Sequence, residues 1–286
     1  MDVHPLRFGS IHVKEAHYRG RGNSRAMRTL RWALDPRFHE PLPILGWLVD
    51  HPEGPIVVDT GVRAGATLPT YFPSLSRWFY RWQFQLDVAP EDELDPQLRR
   101  HGVDPADVET VVLTHLHFDH VDGLCDVPGA EVVCSRREYE DAMAGGARYG
   151  TLREHLPATF DPTLITFDGP EIGPFSASHH LAHGVFLVPT PGHTHGHLSV
   201  VVDTGDGELF LAGDAAFDQQ ALLDRRIDGV SMDADTHRET QRRICRFAAE
   251  RPTVVLPAHD PDAPRRLHEH EYCRVPADGV PATKST

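Results

Sequence analysis

Val111-Val112-Leu113-Thr114-His115-Leu116-His117-Phe118-Asp119-His120 is the stretch on which the fold turns. An apolar run leads directly into three His and one Asp. Alternation along an extended strand sends His115 and His117 to the same side. A turn behind the strand would bring Asp119 and His120 back towards them. One metal ion could then take the two odd-numbered His, and a second the Asp and the last His. Imidazole and carboxylate suit zinc and similar first-row metals. In a chain with 20 His a stray pair means little. Four ligand-type side chains packed behind a buried strand mean more.

Three further segments repeat the layout of a buried strand, then a small residue, then a ligand type. Val185-Phe186-Leu187-Val188 runs into Thr190-Pro191-Gly192-His193-Thr194-His195-Gly196-His197. Leu209-Phe210-Leu211-Ala212-Gly213 ends in Asp214, and Val254-Val255-Leu256-Pro257-Ala258 ends in His259-Asp260. Ligands at strand ends sit on a rigid frame, as coordination requires.

The motifs HLHFDH, TPGH, LAGDA and PAHD, in that order from about Pro43 to Asp260, resemble the metallo-β-lactamase-fold hydrolases. Length and spacing look most like the N-acyl homoserine lactonase, or quorum-quenching, branch. Thioesterases, glyoxalase II and RNA-processing nucleases share most of the motifs. The resemblance implies an α/β (α+β) chain folded as a four-layer αβ/βα sandwich, with the site along one edge between two sheets. It implies a first metal held by His115, His117 and His193, and a second by Asp119, His120 and His259, with Asp214 bridging both. Zinc is the expected ion, with Fe, Mn or Co as alternatives. A bridging hydroxide would attack the lactone, and Asp119, with Asp214 the expected catalytic pair, would move a proton as the intermediate collapses. Two cations about 3.5–4 Å apart repel, so a shared carboxylate and hydroxide help to hold them. No GxSxG elbow is present, and no Cys lies within a ligand motif.

Other residues carry open readings. Asp59 is either a partner that orients a ligand imidazole or a plain turn Asp. His195 faces either solvent or the pocket. His197 is expected to hydrogen-bond within its loop. Many lactonases of the resembled branch carry a Tyr three residues after the bridging Asp. Here the order is Asp214-Ala215-Ala216-Phe217, so that phenol is missing.

The segment 62–90 holds seven of the chain's 23 aromatic residues. Trp78, Phe79 and Trp82, together with Phe217, are candidates for the wall of a pocket that receives an apolar acyl chain. The competing reading is a helix packed on the core or a homodimer contact. Arg19, Arg21, Arg25, Arg28 and Arg31 form a basic patch, read as an irregular solvated segment or as a guide for an anionic substrate.

Composition limits the alternatives. Net charge −14 opposes the phosphate-driven electrostatics of nucleic-acid binding. No run of about 18 apolar residues exists, so no membrane span is expected. The amino-terminal residues lack a signal-peptide layout. Four scattered Cys without a CxxC pair fit reduced thiols and a cytoplasmic protein. One domain is expected over 1–274, with a loose tail over 275–286. The expected activity is opening of the ring of an acyl homoserine lactone or similar lactone, a small-molecule ester. A thioesterase is the alternative. A β-lactamase is disfavoured, because the zinc-dependent enzymes of that kind place a Cys where Asp214 stands.

Strands are expected at 6–13, 44–49, 55–59, 131–134, 164–167, 184–188 and 198–203, besides those before the ligands. Helices are expected at 90–100, 136–144 and 235–251, with a helix or turn from Val121.

Overall fold

The computed structural model describes residues 1–145 and 150–276. Seven strands make the first sheet: β1 (Asp2–His12), β2 (Leu42–Asp50), β3 (Ile56–Val58), β4 (Gln85–Asp87), β5 (Thr110–Val112), β6 (Glu131–Ser135) and β7 (Thr163–Ile165), in the order β4-β1-β2-β3-β5-β6-β7. Five make the second: β8 (His179–Ala182), β9 (Val185–Pro189), β10 (Leu198–Asp203), β11 (Glu208–Gly213) and β12 (Thr253–Pro257), in the order β12-β11-β10-β9-β8. The helices are α1 (Glu15–Tyr18), α2 (Arg25–Leu34), α3 (Arg77–Gln83), α4 (Leu94–Arg100), α5 (Phe118–Val121), α6 (Arg136–Gly145), α7 (Gln219–Asp224), α8 (Ala234–Glu250) and α9 (Ala263–Glu269).

Period-two alternation builds the layers. On β2, Leu45, Trp47 and Val49 point to the space between the sheets, while Leu42, Ile44 and Leu48 point to the opposite face. On β10 and β11, Val200, Val202, Leu209 and Leu211 face the first sheet, while Val201 and Phe210 face α8 through Ile244 and Phe247. Both sheets are therefore apolar on both faces, and helices must cover the outer ones. The expected four-layer sandwich is what the chain forms. Each fully buried Leu, Val or Ile contributes about 1.5–3 kcal/mol.

The turn at 51–54 joins β2 to β3 as an antiparallel hairpin, and the turn at 204–207 joins β10 to β11. Several elements differ from expectation. The Arg-rich segment is not irregular: α2 spans Arg25–Leu34, capped by Ser24 Oγ accepting from Met27 N, and Arg28 is buried. A Ser cap followed by good helix formers is enough to start it. Strand β8 and helices α7 and α9 were not expected. They are four, six and seven residues long, too short to show a period. The loose tail expected from 275 lies, from 277 on, outside the described residues.

Candidate metal centre

The ligand run leaves the sheet earlier than alternation suggested. Strand β5 ends at Val112, residues 113–117 are irregular, and Asp119 and His120 stand on the single turn α5. That turn, rather than strand alternation, brings the later pair round to the earlier one. The other ligand types arrive from the ends of β9, β11 and β12, so both sheets contribute at one edge.

Seven side chains form two adjoining groups: His115, His117, His193 and Asp214 in one, Asp119, His120 and His259 in the other, with donor atoms of each group within 4.8 Å of one another. Asp214 lies between them. Its Oδ2 is 3.3 Å from His193 Nε2 and 4.0 Å from His115 Nε2. Its Oδ1 is 3.4 Å from His259 Nε2 and 3.5 Å from His120 Nε2. Asp119 Oδ2 is 3.6 Å from His259 Nε2. One carboxylate oxygen therefore faces each group.

The donor atoms fit a pair of divalent cations. His115 Nε2, His120 Nε2 and Asp214 Oδ1 are all buried without a hydrogen-bond partner. Buried polar atoms are normally satisfied, and three orphans facing one spot need a shared partner. The outer nitrogens of three of the His, by contrast, are engaged. His120 Nδ1 meets Asp59 Oδ2 at 2.7 Å, His193 Nδ1 meets Asp228 Oδ2 at 2.8 Å, and His259 Nδ1 donates to Pro43 O at 2.9 Å. A carbonyl can only accept, so the His259 proton sits on Nδ1 and leaves Nε2 a lone pair for a metal.

Asp59 is more than a turn residue. It sits at φ 61, a conformation uncommon for a non-glycine residue, and also accepts from Thr114 N and Thr114 Oγ1 at 2.8 Å each. It thereby ties the His120 ring to the start of the ligand run. His197 Nδ1 pairs with Thr190 Oγ1 at 2.8 Å, and its Nε2 accepts from Asp214 N at 3.0 Å. It fixes the backbone of the central carboxylate. Gly213, at φ 53, leaves room for this: a Cβ there would meet His197 Nε2 at 2.8 Å. His195 pairs with Asp141 Oδ2 at 2.8 Å and takes no part in either group.

Two residues of the surroundings escaped sequence reasoning. Asp228 also accepts from Ser231 Oγ and Val230 N at 2.8 Å each. Burial opposes its ionisation, but His193 first, then His237 and His17, hold its carboxyl well below the usual carboxylate range. Glu138 on α6 accepts from Leu116 N with one oxygen and from Thr194 Oγ1 with the other, tying the two His loops together. No local signal marks either residue, because the partners that tie them to the His loops lie 35 and 22 positions or more away.

Above the centre opens a cavity of about 170 Å³ whose floor includes His117, Asp119, His193, Asp214 and His259. Its walls are mostly apolar: Ile11, Val13, Trp32, Leu42, Phe79, Tyr80, Phe84, Phe118 and Phe217. The aromatic segment thus lines a pocket through Phe79, Tyr80 and Phe84. Trp78 and Trp82, expected there, do not: they are 78% and 42% exposed. The two Trp are four apart on α3 and share its outer side, whereas Phe79 and Gln83 share the inner one.

The family model of the metallo-beta-lactamase superfamily matches residues 39–259. The N-acyl homoserine lactonase AttM of Azorhizobium caulinodans is 32% identical over 239 residues, 78% of this chain and 83% of its own. The N-acyl homoserine lactonase AiiA of Bacillus thuringiensis subsp. kurstaki is 26% identical over 244 residues, 85% of this chain and 89% of its own. Among solved structures, an N-acyl homoserine lactone hydrolase with the product N-hexanoyl-L-homoserine at its catalytic metal centre superposes with TM-score 0.72 at 21% identity, covering 96% of both chains. A dizinc quorum-quenching lactonase, AidC, gives TM-score 0.62 at 16% identity over 91% of this chain and 87% of that one. Two sheets in four layers, the donor groups at their shared edge and the family match over 39–259 agree: this chain belongs to the metallo-β-lactamase superfamily.

Proposed function

We propose that this protein is a metal-dependent ester hydrolase that opens the ring of N-acyl homoserine lactones or a closely related lactone. The observation that carries the reading is the Asp214 carboxylate, with one oxygen towards each donor group, at the floor of an apolar pocket. Its relatives and structural neighbours include lactonases. We assign His115, His117 and His193 to one cation, Asp119, His120 and His259 to the other, and Asp214 to both. Asp59, Asp228 and His197 hold this set in place. Two divalent cations there would supply Lewis acidity and a water acidic enough to attack near neutral pH. Zinc is the ion we expect from the donor set, with Fe, Mn or Co as alternatives that metal analysis distinguishes.

The chain's own residues do the rest. Asp119, at the pocket floor, takes the proton of the attacking water and returns it to the ring oxygen that leaves. Trp32, Phe79 and Phe84 receive the acyl chain and keep bulk water from the reacting ester. Phe217 packs over the centre, its ring 5.1 Å from that of His259, and offers no hydroxyl. A thioesterase is not favoured, because the relatives and neighbours named above are lactonases. Four free thiols, three of them buried, support a reducing compartment such as the cytoplasm. No described helix is long and apolar enough to cross a membrane.

The deciding experiment is ring-opening turnover of acyl homoserine lactones of several chain lengths by metal-loaded protein, with an acyl thioester alongside. Lactone opening that a chelator abolishes supports the reading. Thioester cleavage without lactone opening rejects it.

A further inference from the structure

His17, on α1, is a buried imidazole at this site with no assigned task. It is 6% exposed, lines the cavity together with His117, Asp119, His193, Asp214 and Phe217, and belongs to neither donor group. Three aromatic rings enclose it, those of Trp32, Phe84 and Phe217, each with a centroid 5.6 Å away. Nδ1 is buried in that cage without a hydrogen-bond partner.

The ring is neutral. Burial above all, only partly offset by Asp228, Asp119 and Asp214 and reinforced by His193, lowers its pKa to about 4. A neutral imidazole carries one N–H and one lone pair. The aromatic cage holds no oxygen or nitrogen that could accept a proton from Nδ1, and an orphaned donor is rarer in folded proteins than an under-used acceptor. The proton therefore belongs on Nε2, on a ring that lines the cavity. The backbone holds the ring in place: His17 O accepts from Gly229 N at 2.6 Å, and Gly20 N donates to Ile227 O at 2.9 Å. These bonds lock α1 to the loop that carries Asp228, and so to the partner of His193. A donor fixed on that frame is organised before substrate arrives.

We propose that His17 is a further catalytic residue: its Nε2–H donates a hydrogen bond to the carbonyl oxygen of the ester under attack, and the bond strengthens as that oxygen becomes negative. The role rests on the ester-hydrolase reading above. Water oxygen bonds to the carbonyl carbon, and the C=O π pair moves to the carbonyl oxygen. The pair then returns as the ring C–O bond breaks, and the leaving oxygen takes the water's proton. His17 keeps its own proton throughout, and no reactant beyond water is needed.

The test compares wild type, His17→Gln and His17→Leu as metal-loaded full chains on an acyl homoserine lactone and on a nitrophenyl ester, with metal content and thermal midpoint recorded. Removing one donor of this kind costs about 100-fold in kcat. His17→Leu should show that loss with KM little changed and both metals retained, and His17→Gln, which keeps an N–H, should recover part of it. Unchanged kcat, a loss confined to KM, or a loss that follows metal content would overturn the role. Should His17→Leu not fold, imidazole nitrogen NMR of isotope-labelled wild type, titrated with an N-acyl homoserine lactam, decides the matter. A protonated Nε2 whose resonance moves on binding supports the proposal, and one that stays still overturns it. Nitrophenyl ester turnover without lactone opening rejects the lactonase reading yet still tests His17. Lactone opening unaffected by His17→Leu rejects His17 and leaves the lactonase reading standing. A wild type that cleaves neither ester rejects both.

Discussion

At the scale of single residues, Asp214 and Asp228 make contrasting claims. Asp214 faces both donor groups, so Asp214→Ala should lose turnover and lower the metal bound per chain, read by elemental analysis. Unchanged metal content and turnover would remove its bridging role. Asp228 belongs to neither donor group and acts through the His193 ring. Asp228→Asn should therefore cost about 10–100-fold in metal affinity or activity, the usual penalty for losing an orienting partner. An intact affinity measured by competition with a chelator would show that His193 needs no such partner. Phe217 belongs here too. Its ring lies 5.6 Å from that of His17 and 5.1 Å from that of His259, so a hydroxyl added to it could act as a replacement donor. With His17 in place Phe217→Tyr should raise kcat less than about tenfold, and in the His17→Leu background it should restore more than that. A large gain in the wild-type background would mean that the phenol alone was limiting.

Among the elements, α3 is the one on which the proposed acyl-chain pocket can be tested. Its inner side carries Phe79 into the pocket, and its outer side carries Trp78 into solvent. Phe79→Ala removes apolar contact worth about 1–2 kcal/mol for a chain long enough to reach it. KM should then rise roughly tenfold for long acyl chains and hardly at all for short ones, while Trp78→Ala should leave both unchanged. Equal effects of Phe79→Ala on short and long chains would place the acyl group elsewhere. The aromatic content of residues 62–90 was visible in the sequence, but the choice between Trp78 and Phe79 was not. A seven-residue helix can be rotated by one position without changing its composition, and only its docking against α2 sets the phase. Contacts between Trp32 and Phe79 and between Gln83 and the carbonyl of Ala33 fix that docking. The Arg-rich segment shows the same limit: its charges suggested a solvated stretch, yet Arg28 turns inward to Ser231 O.

For the molecule as a whole, His17 links the site to acid stability. Its pKa is about 4 in the folded chain against 6.5 for a free ring. Since the folded value is the lower one, the unfolded chain takes up the proton first. This contribution is fully present above pH 6.5 and is lost as pH falls towards 4. Its size is about 3–4 kcal/mol, from about 1.4 kcal/mol per pKa unit. Urea unfolding across that range should show a shallower acid decline for His17→Gln than for wild type, and parallel curves would contradict the shift. The outer sides of α2 and α3 expose Met27, Leu30, Leu34, Trp78 and Trp82, where the homodimer contact expected as one reading of residues 62–90 can be tested. Sedimentation should then show a concentration-dependent dimer that a charged residue in place of Trp78 disperses, whereas a monomer at every concentration would exclude it.

The donors themselves were legible from the chain alone, because each metal-binding run is local: a buried strand, a tight connection and then His or Asp. Their order along the chain carried the fold class with it, through the resemblance. Tertiary structure alone decided what orients those donors and what faces the substrate. Asp228, Glu138 and His17 reach the site from segments distant in sequence, and no spacing rule links them to the ligand runs. Coordination is written in short runs, whereas pocket walls and hydrogen-bonded supports depend on how helices dock and in which phase. That docking is set by packing across the whole core.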